Sequence, residues 1–213
     1  MDFIFGKYDF IVTYIDDILV HSPNIQIHLA HLEIFYQEVL RHGIVLFEKK
    51  MILLQESMDF LGIHILNGQI QMQPHVLTKL SEFLDILPDT KSIQRFLGVL
   101  NYVHKYIPRL SSKTAPIRKH LHSGWSDEAT IAVKLLKQEC MNLPTLKPPG
   151  DGLLILQIDD SDEFWAAVLF EKVENLEEHL SEEILCAYAS GEFLSHQKTI
   201  LLQIGRASCR ERV

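Results

Sequence analysis

The chain has little of what marks a secreted, membrane-spanning or metal-stapled protein. It holds only three cysteines in 213 residues. Cys140, Cys186 and Cys209 lie far apart, in neither a zinc-finger spacing nor a disulfide framework, which fits a reducing compartment. No apolar run is long enough for a membrane helix. No basic, apolar leader is read at the start, so secretion is not expected. Internal repeats and low-complexity tracts are missing. A basic excess is missing too: the formal net charge is −8. That counts against a broadly basic nucleic-acid surface, though a channel can still gather positive charge locally.

What is present starts with a 47% hydrophobic composition, enough to bury a core in one or two domains. Near the start, Tyr14-Ile15-Asp16-Asp17 sits between Phe10-Ile11-Val12 and Ile18-Leu19-Val20. Apolar, β-rich runs on both sides of a short polar step predict strand, turn, strand. Adjacent carboxylates repel, and a divalent cation is the simplest reason to hold them at the tip of an oily hairpin. The bland alternative is an ordinary turn with solvated acids.

Further along, Leu29, Leu32, Tyr36, Val39 and Leu40 recur at helical spacing, with Gly43 as a stop, predicting an amphipathic helix packed on a sheet. Met58 to Met72 reads as a hairpin turning at Asn67-Gly68. Pro74 opens a helix with Val76, Leu77, Leu80, Phe83 and Leu84 on one face. Ser92 is read as the cap of a second helix carrying Phe96, Leu97, Leu100 and Val103, ending before Pro108. Ser126 is read as the cap of a third, carrying Ile131, Leu135 and Leu136. Pro144, Pro148, Pro149 and Gly150 make a linker. Leu153 to Ile158, Phe164 to Phe170 and Ile184 to Ala189 read as three strands.

The segment Val12 to Val20 resembles the YxDD box of the reverse transcriptases of plant pararetroviruses and gypsy-type retrotransposons. Phe60-Leu61-Gly62, then Arg95 to Tyr102, then Ile158-Asp159-Asp160-Ser161-Asp162 follow in that family's order. The resemblance covers residues 1 to 203, and Ala187 to Gly191 is most similar to the caulimovirus-like group. It implies an α+β fold: the C-terminal part of a polymerase palm at 1–73, with the YIDD and primer-grip hairpins, and a helical thumb or connection at 74–143. A Pro/Gly linker at 144–152 and a truncated RNase H-like β-meander at 153–203 follow. The implied activity is RNA-directed DNA polymerisation with attached RNase H endonuclease, using Mg²⁺.

By the same resemblance, both ends are expected to be cut. The first catalytic Asp, the fingers and the substrate-selecting helix lie upstream in the family, and Met1 to Gly6 resembles the last piece of that helix. The stretch Ile204 to Val213 turns basic and leaves the family pattern. Its back-translation, ATC-GGA-AGA-GCG-TCG-TGT-AGG-GAA-AGA-GTG, resembles a sequencing adapter, so 204–213 is set aside from fold reasoning. A natural basic tail is the alternative.

The resemblance also assigns roles. Asp16 and Asp17 are the expected catalytic metal ligands, Asp16 the firmer one. Tyr14 and Ile15 line the path of primer and paired base, or simply pack under the turn. Lys50, of the Lys49-Lys50 pair, is the candidate to protonate leaving pyrophosphate or hold the triphosphate, against a solvated surface lysine. Phe60, Leu61 and Gly62 resemble the primer grip, where Gly62 permits close backbone approach, against an ordinary strand glycine or bulge. Arg95, Asn101, Tyr102 and Lys105 resemble the thumb surface that tracks the duplex, against a structural role for each taken singly. Asp159 matches the first metal-binding Asp of RNase H, while Asp162 shapes a turn and Gln197 does not stand in for the next catalytic Glu. One Asp cannot build a two-metal site, so no RNase H activity is expected of this segment. The expected partners are template-primer, deoxynucleotide triphosphates and the missing fingers and palm, with no membrane. The expected place is the cytoplasm, in a viral or virus-like particle.

His28-x-x-His31 and His120-x-His122 are the closest histidine pairs, and neither has cysteine partners at a finger spacing. Two other readings stand beside the enzyme fragment. One is a non-catalytic endogenous viral remnant that at most binds nucleic acid or other polymerase parts. The other is a different Asp-rich two-metal enzyme, resting on Asp159 to Asp162 alone.

Overall fold

A computed structural model describes residues 1–121, 124–175, 180–193 and 210–212. His122, Gln197, Cys209 and residues 204–209 of the set-aside stretch lie outside the described residues. The chain divides into two compact units, Met1–Phe60 and Leu61–Val213. Among the described residues no helix is long and apolar enough to cross a membrane.

The first unit opens with the short helix α1 (Asp2–Phe5), then the hairpin β1 (Ile11–Tyr14) and β2 (Asp17–Val20), paired antiparallel with Tyr14 opposite Asp17. Helix α2 (Ile25–Arg41) follows, capped by Asn24, whose side chain accepts from the Ile27 N–H at 2.9 Å. A 3-10 turn at Glu48–Lys50 and strand β3 (Ser57–Phe60) complete the unit. Phe5, Ile11 and Val39 form its small core, with Ile18, Val20 and Phe35 packed around them.

The face of α2 differs from the one its spacing predicts. Leu29, Tyr36 and Leu40 are exposed, whereas His28, His31, Leu32, Phe35, Glu38 and Val39 turn inward. Apolar residues occupy both faces of this helix, and the packing of Phe35 and Val39 against Phe5 and the hairpin selects one of them. At the C-terminal end of α2, Glu38 is buried. It accepts from the Tyr8 hydroxyl at 2.9 Å, the Arg41 guanidinium at 2.9 Å and the Lys7 ammonium at 3.2 Å. The Tyr8 hydroxyl, then Lys7 and Arg41, hold its carboxyl below the usual carboxylate range.

The second unit starts with β4 (Ile63–Leu66) and β5 (Gln69–Met72), an antiparallel hairpin around Asn67 and Gly68. Their φ values of +50° and +71° are those of the expected two-residue turn. The predicted single hairpin from Met58 to Met72 is interrupted, because Leu61 and Gly62 both take positive φ between β3 and β4. Helix α3 (Pro74–Ser81) has Pro at its start, and α4 (Thr90–Tyr102) follows. The cap of α4 is Asp89, which accepts from the Ser92 N–H at 2.6 Å, so Ser92 lies inside the helix rather than at its cap. A carboxylate accepts this bond more strongly than a hydroxyl.

Helix α5 (Leu110–Arg118) has no counterpart in the sequence reading, because Pro116 inside it signals a break. Helix α6 (Asp127–Cys140) is capped by Ser126 as expected. Its buried face is Ala129, Val133, Leu136 and Cys140, while the predicted core residues Ile131 and Leu135 are exposed. The helical core centres on Phe96, Leu100, Val103, Ile107, Ile117, Val133 and Leu136, with Phe83 edge-on to Phe96 at 5.3 Å. Burial pushes the Cys140 thiol up to about 12, so it stays an unreactive core group.

The proline-rich stretch is fastened at several points. Leu146 is buried and exchanges backbone bonds with Ile70 (2.7 and 3.0 Å), and the Lys147 N–H donates to Leu185 at 3.0 Å. Beyond it run β6 (Leu153–Asp160), β7 (Phe164–Asn175) and β8 (Leu180–Glu192), an antiparallel meander longer than predicted. A short strand β9 (Arg210–Arg212), from the set-aside stretch, pairs with Ile155 to Gln157 on the open edge of β6. An open edge accepts any extended backbone, whatever its side chains.

Glu171 on β7 is buried beside this join. The Lys147 ammonium lies 2.8 Å from it, and the Gly152 N–H donates to it at 2.8 Å. Lys147 first, and then the Gly152 N–H, hold its carboxyl below the usual range. A carboxyl depressed on folding stabilises the fold above its unfolded value, here 4.5, and that contribution is lost as pH falls through the folded value. Glu171→Gln is therefore expected to be less stable than the parent at pH 7, with the gap closing in acid below about pH 4.5. Both tryptophans, Trp125 and Trp165, belong to this unit, so urea unfolding followed by their fluorescence reads it directly. A gap that stays constant with pH would contradict the assignment.

Candidate catalytic hairpin and nucleic-acid interface

The YIDD tetrapeptide forms the tip of the β1–β2 hairpin, as its flanking runs predict. Ile15 and Asp16 make the two-residue turn, and Asp17 opens β2 opposite Tyr14. Alternation sets the orientation: Ile11 is buried, while Val12 and Tyr14 are exposed. Ile15 takes φ +55°, unusual for a β-branched residue, and is 73% exposed. A strained, apolar residue held in water beside two acids is the kind of local outlier found at functional sites.

The base of the hairpin is well tied. Phe10 stacks on the His31 ring at 3.6 Å. His21 Nε2 lies 3.1 Å from the Asp9 carbonyl, and Ser22 Oγ lies 3.0 and 2.8 Å from His28 and His31 Nδ1. The Thr13 hydroxyl donates to the Asp2 carboxylate. The histidine pair thus shares a serine hydroxyl. His120 Nε2 lies 2.8 Å from Ser126 Oγ.

Asp16 and Asp17 are both exposed, and among the described residues neither has a cationic partner. They offer two neighbouring hard-oxygen donors. That suits Mg²⁺, which commonly takes one or two carboxylates and completes its shell with water and substrate phosphates. Among the described residues no three His, Cys, Asp or Glu side chains converge to hold a metal ion. Lys50 is exposed at the end of the 3-10 turn, its Nζ 6.0 Å from the centre of the Phe47 ring.

Asp159 has a different environment. It lies near the end of β6, exposed, with its carboxylate 2.7 Å from the Arg109 guanidinium. Arg109 precedes α5 in a left-handed conformation, φ +53°. The same helix meets β8 through Ser111, whose N–H donates to Ser190 Oγ at 2.9 Å. No sequence signal marks Arg109 as the partner of an acid fifty positions away. The pair is exposed on both sides, so it is a weak ion pair that a stronger cation could replace.

Phe60, Leu61 and Gly62 span the end of β3 and the step into β4. Within the second unit, Leu61 and Gly62 have φ +48° and +76°. The Tyr102 hydroxyl, on the last turn of α4, donates to the Leu61 carbonyl. Arg95, Asn101, Tyr102 and Lys105 are all exposed. An open groove of about 780 Å³ runs between α3 and α4 from Gly62, with His75, Lys79 and Arg95 along it. His75 and Lys79, which no sequence signal marks, lie one turn apart on the helix that Pro74 opens.

Comparisons with known proteins bear on these features. The family model for reverse transcriptase (RNA-dependent DNA polymerase) matches residues 1–65. The enzymatic polyprotein of Cauliflower mosaic virus (strain D/H) is 36% identical over 194 residues, covering 89% of this chain and 28% of the polyprotein. The genome polyprotein of Petunia vein clearing virus (isolate Shepherd) is 37% identical over 185 residues, covering 85% of the chain and 8% of the polyprotein. The chain thus spans less than a third of the length of these relatives. Foamy viral protease-reverse transcriptase in complex with RNA/DNA hybrid superposes with TM-score 0.72 at 20% identity, over 92% of this chain and 27% of that one. Its complex with dsDNA gives 0.71 at 19% identity, over 95% and 44%. At such identities the likeness establishes a shared α+β fold.

Proposed function

We infer that this chain, a stretch of the reverse transcriptase region of a pararetrovirus-type polyprotein, supplies the YIDD hairpin of an RNA-directed DNA polymerase that uses Mg²⁺. The observation that carries the reading is the hairpin tip, where two adjacent carboxylates, without cationic partners among the described residues, are presented to solvent from a tied apolar base. Asp16 and Asp17 would hold the metal. Bound Mg²⁺ supplies activation of the primer 3′-hydroxyl and stabilisation of the leaving pyrophosphate. The protein's part is positional. The β1–β2 pairing sets Asp17 at the first position of its strand, and Ile15 and Tyr14 offer apolar walls beside the acids. Phe60, Leu61 and Gly62 are assigned to the primer terminus, residues 74–143 to the thumb, and residues 153–203 to an RNase H-like meander. Template-primer and nucleotide triphosphates are the partners, in line with the nucleic acids bound by the foamy viral enzyme.

We assign no polymerase or RNase H turnover to the chain by itself. The hairpin contributes two carboxylates, no third acid joins them among the described residues, and Asp159 faces Arg109. Mn²⁺ titration followed by amide NMR tests both halves of this reading. Paramagnetic broadening is expected at Asp16 and Asp17 before Asp159, and the same preparation should leave an RNA–DNA hybrid uncut in Mg²⁺. Broadening centred on Asp159, or cleavage, would refute the assignment.

Lys50 is proposed as the group that meets the triphosphate or protonates pyrophosphate. In a polymerase completed around this segment, Lys50→Ala should slow the single-turnover chemical step by about 10²-fold, the usual scale of general acid–base catalysis. An unchanged rate would remove Lys50 from the mechanism.

A further inference from the structure

We propose that Tyr102 is a positioning residue that ties the Leu61–Gly62 turn to helix α4 and so sets where a primer 3′ end rests. The proposal rests on the polymerase reading above. Three observations inside the second unit converge on it. First, Leu61 is held at φ +48°, a conformation that costs a branched side chain energy and relaxes unless something retains it. Second, both carbonyls of the turn are occupied: the Leu61 carbonyl accepts from the Tyr102 hydroxyl, and the Gly62 carbonyl accepts from the Gln73 N–H at 3.1 Å. Third, the phenol fills the space above Gly62. A Cβ built there would collide with the Tyr102 oxygen and lie 3.2 Å from its Cζ, so the turn and the ring fit only with glycine.

The location gives this lock a purpose. Gly62 and Tyr102 both line the groove between α3 and α4, along which His75, Lys79 and Arg95 offer donors to phosphate oxygens, with Glu82 the one acid in its lining. Phosphate contacts along the helices give affinity but no fixed end-point. A rigid turn at one end of that groove, bonded to the last turn of α4, sets a register between the helical surface and the strand terminus. Tyr102 acts through the turn and does not touch reacting atoms.

The test uses the full chain and a duplex with a recessed primer. The primer carries 2-aminopurine at its 3′ terminus, and the distal end carries fluorescein. Anisotropy reads binding and 2-aminopurine reads the terminus. Tyr102→Phe keeps the ring in the groove and removes only the hydroxyl bonded to the Leu61 carbonyl, so affinity should fall less than the terminal signal. Its terminal signal at matched occupancy should drop about threefold or more as the end loses its fixed rest. Gly62→Ala, whose Cβ displaces the Tyr102 ring, should likewise lose more terminal signal than affinity, and it carries the test if the tyrosine variant folds poorly. A terminal signal unchanged in both variants overturns the proposal and leaves the polymerase reading intact. Parallel loss of affinity, terminal signal and thermal midpoint marks Tyr102 as merely structural and also overturns it. Failure of the unmutated chain to bind the duplex overturns the proposal, while the polymerase reading stands or falls on the Mn²⁺ titration above.

Discussion

Asp16→Asn, placed in a polymerase completed around this segment, slows single-turnover nucleotide addition about a thousandfold. A metal ligand in such a site is worth several kcal/mol of transition-state charge stabilisation, and each 1.36 kcal/mol is tenfold in rate. The amide keeps the size of the side chain but loses the charge and one hard oxygen. Asp17→Asn should slow the reaction less, since Asp16 is the firmer ligand by family resemblance. The effect must be separable from folding. Asp16 is an exposed turn residue, so the same variant of the present chain should change stability by no more than about 0.5 kcal/mol. Removing a like charge beside Asp17 pushes that small change toward greater stability. Full polymerase activity in Asp16→Asn would end the catalytic assignment. A large loss of stability would recast the acid as a structural residue.

The largest stability effect is expected at Phe96. This ring is fully buried in α4, edge-on to Phe83 and surrounded by Leu100, Val103 and Ile117. Phe96→Ala removes the transfer energy of the ring and leaves a cavity that close-packed helices collapse only partly. The cost is about 3–5 kcal/mol. For a unit of this size that corresponds to a drop of roughly 6–20 °C in thermal midpoint. Because both tryptophans report on Leu61–Val213, the urea midpoint from their fluorescence should fall with little change in slope. A loss under 1 kcal/mol would mean that the helical core is not packed around this ring.

How much was legible depended on the range of the interaction that decides each element. The YIDD hairpin, the Asn67-Gly68 turn, Pro74 at the start of α3 and Ser126 at the cap of α6 are set by neighbours a few residues apart, and each stands where the sequence places it. Asp89 took the cap of α4 from Ser92 over a distance of three residues, where both residue types are common caps and the carboxylate is the stronger acceptor. The inward face of α2 was not legible, because Leu29, Tyr36 and Leu40 are as apolar as the buried residues and only the partner surface chooses. Helix α5 was hidden by Pro116, whose lost backbone bond is tolerated in a segment that buries Leu110, Thr114 and Ile117.

For the site, local chemistry marked the acids, and distance decided their condition. Residue order alone determined that Asp16 and Asp17 sit side by side on a β-turn, because strand alternation and a two-residue reversal leave them no other place. Only the folded chain decided that Asp159 would meet Arg109 and that Tyr102 would close over Gly62, since both contacts join positions tens of residues apart. Contacts of that kind depend on which helix packs where, and packing is a property of the whole core rather than of any short run within it.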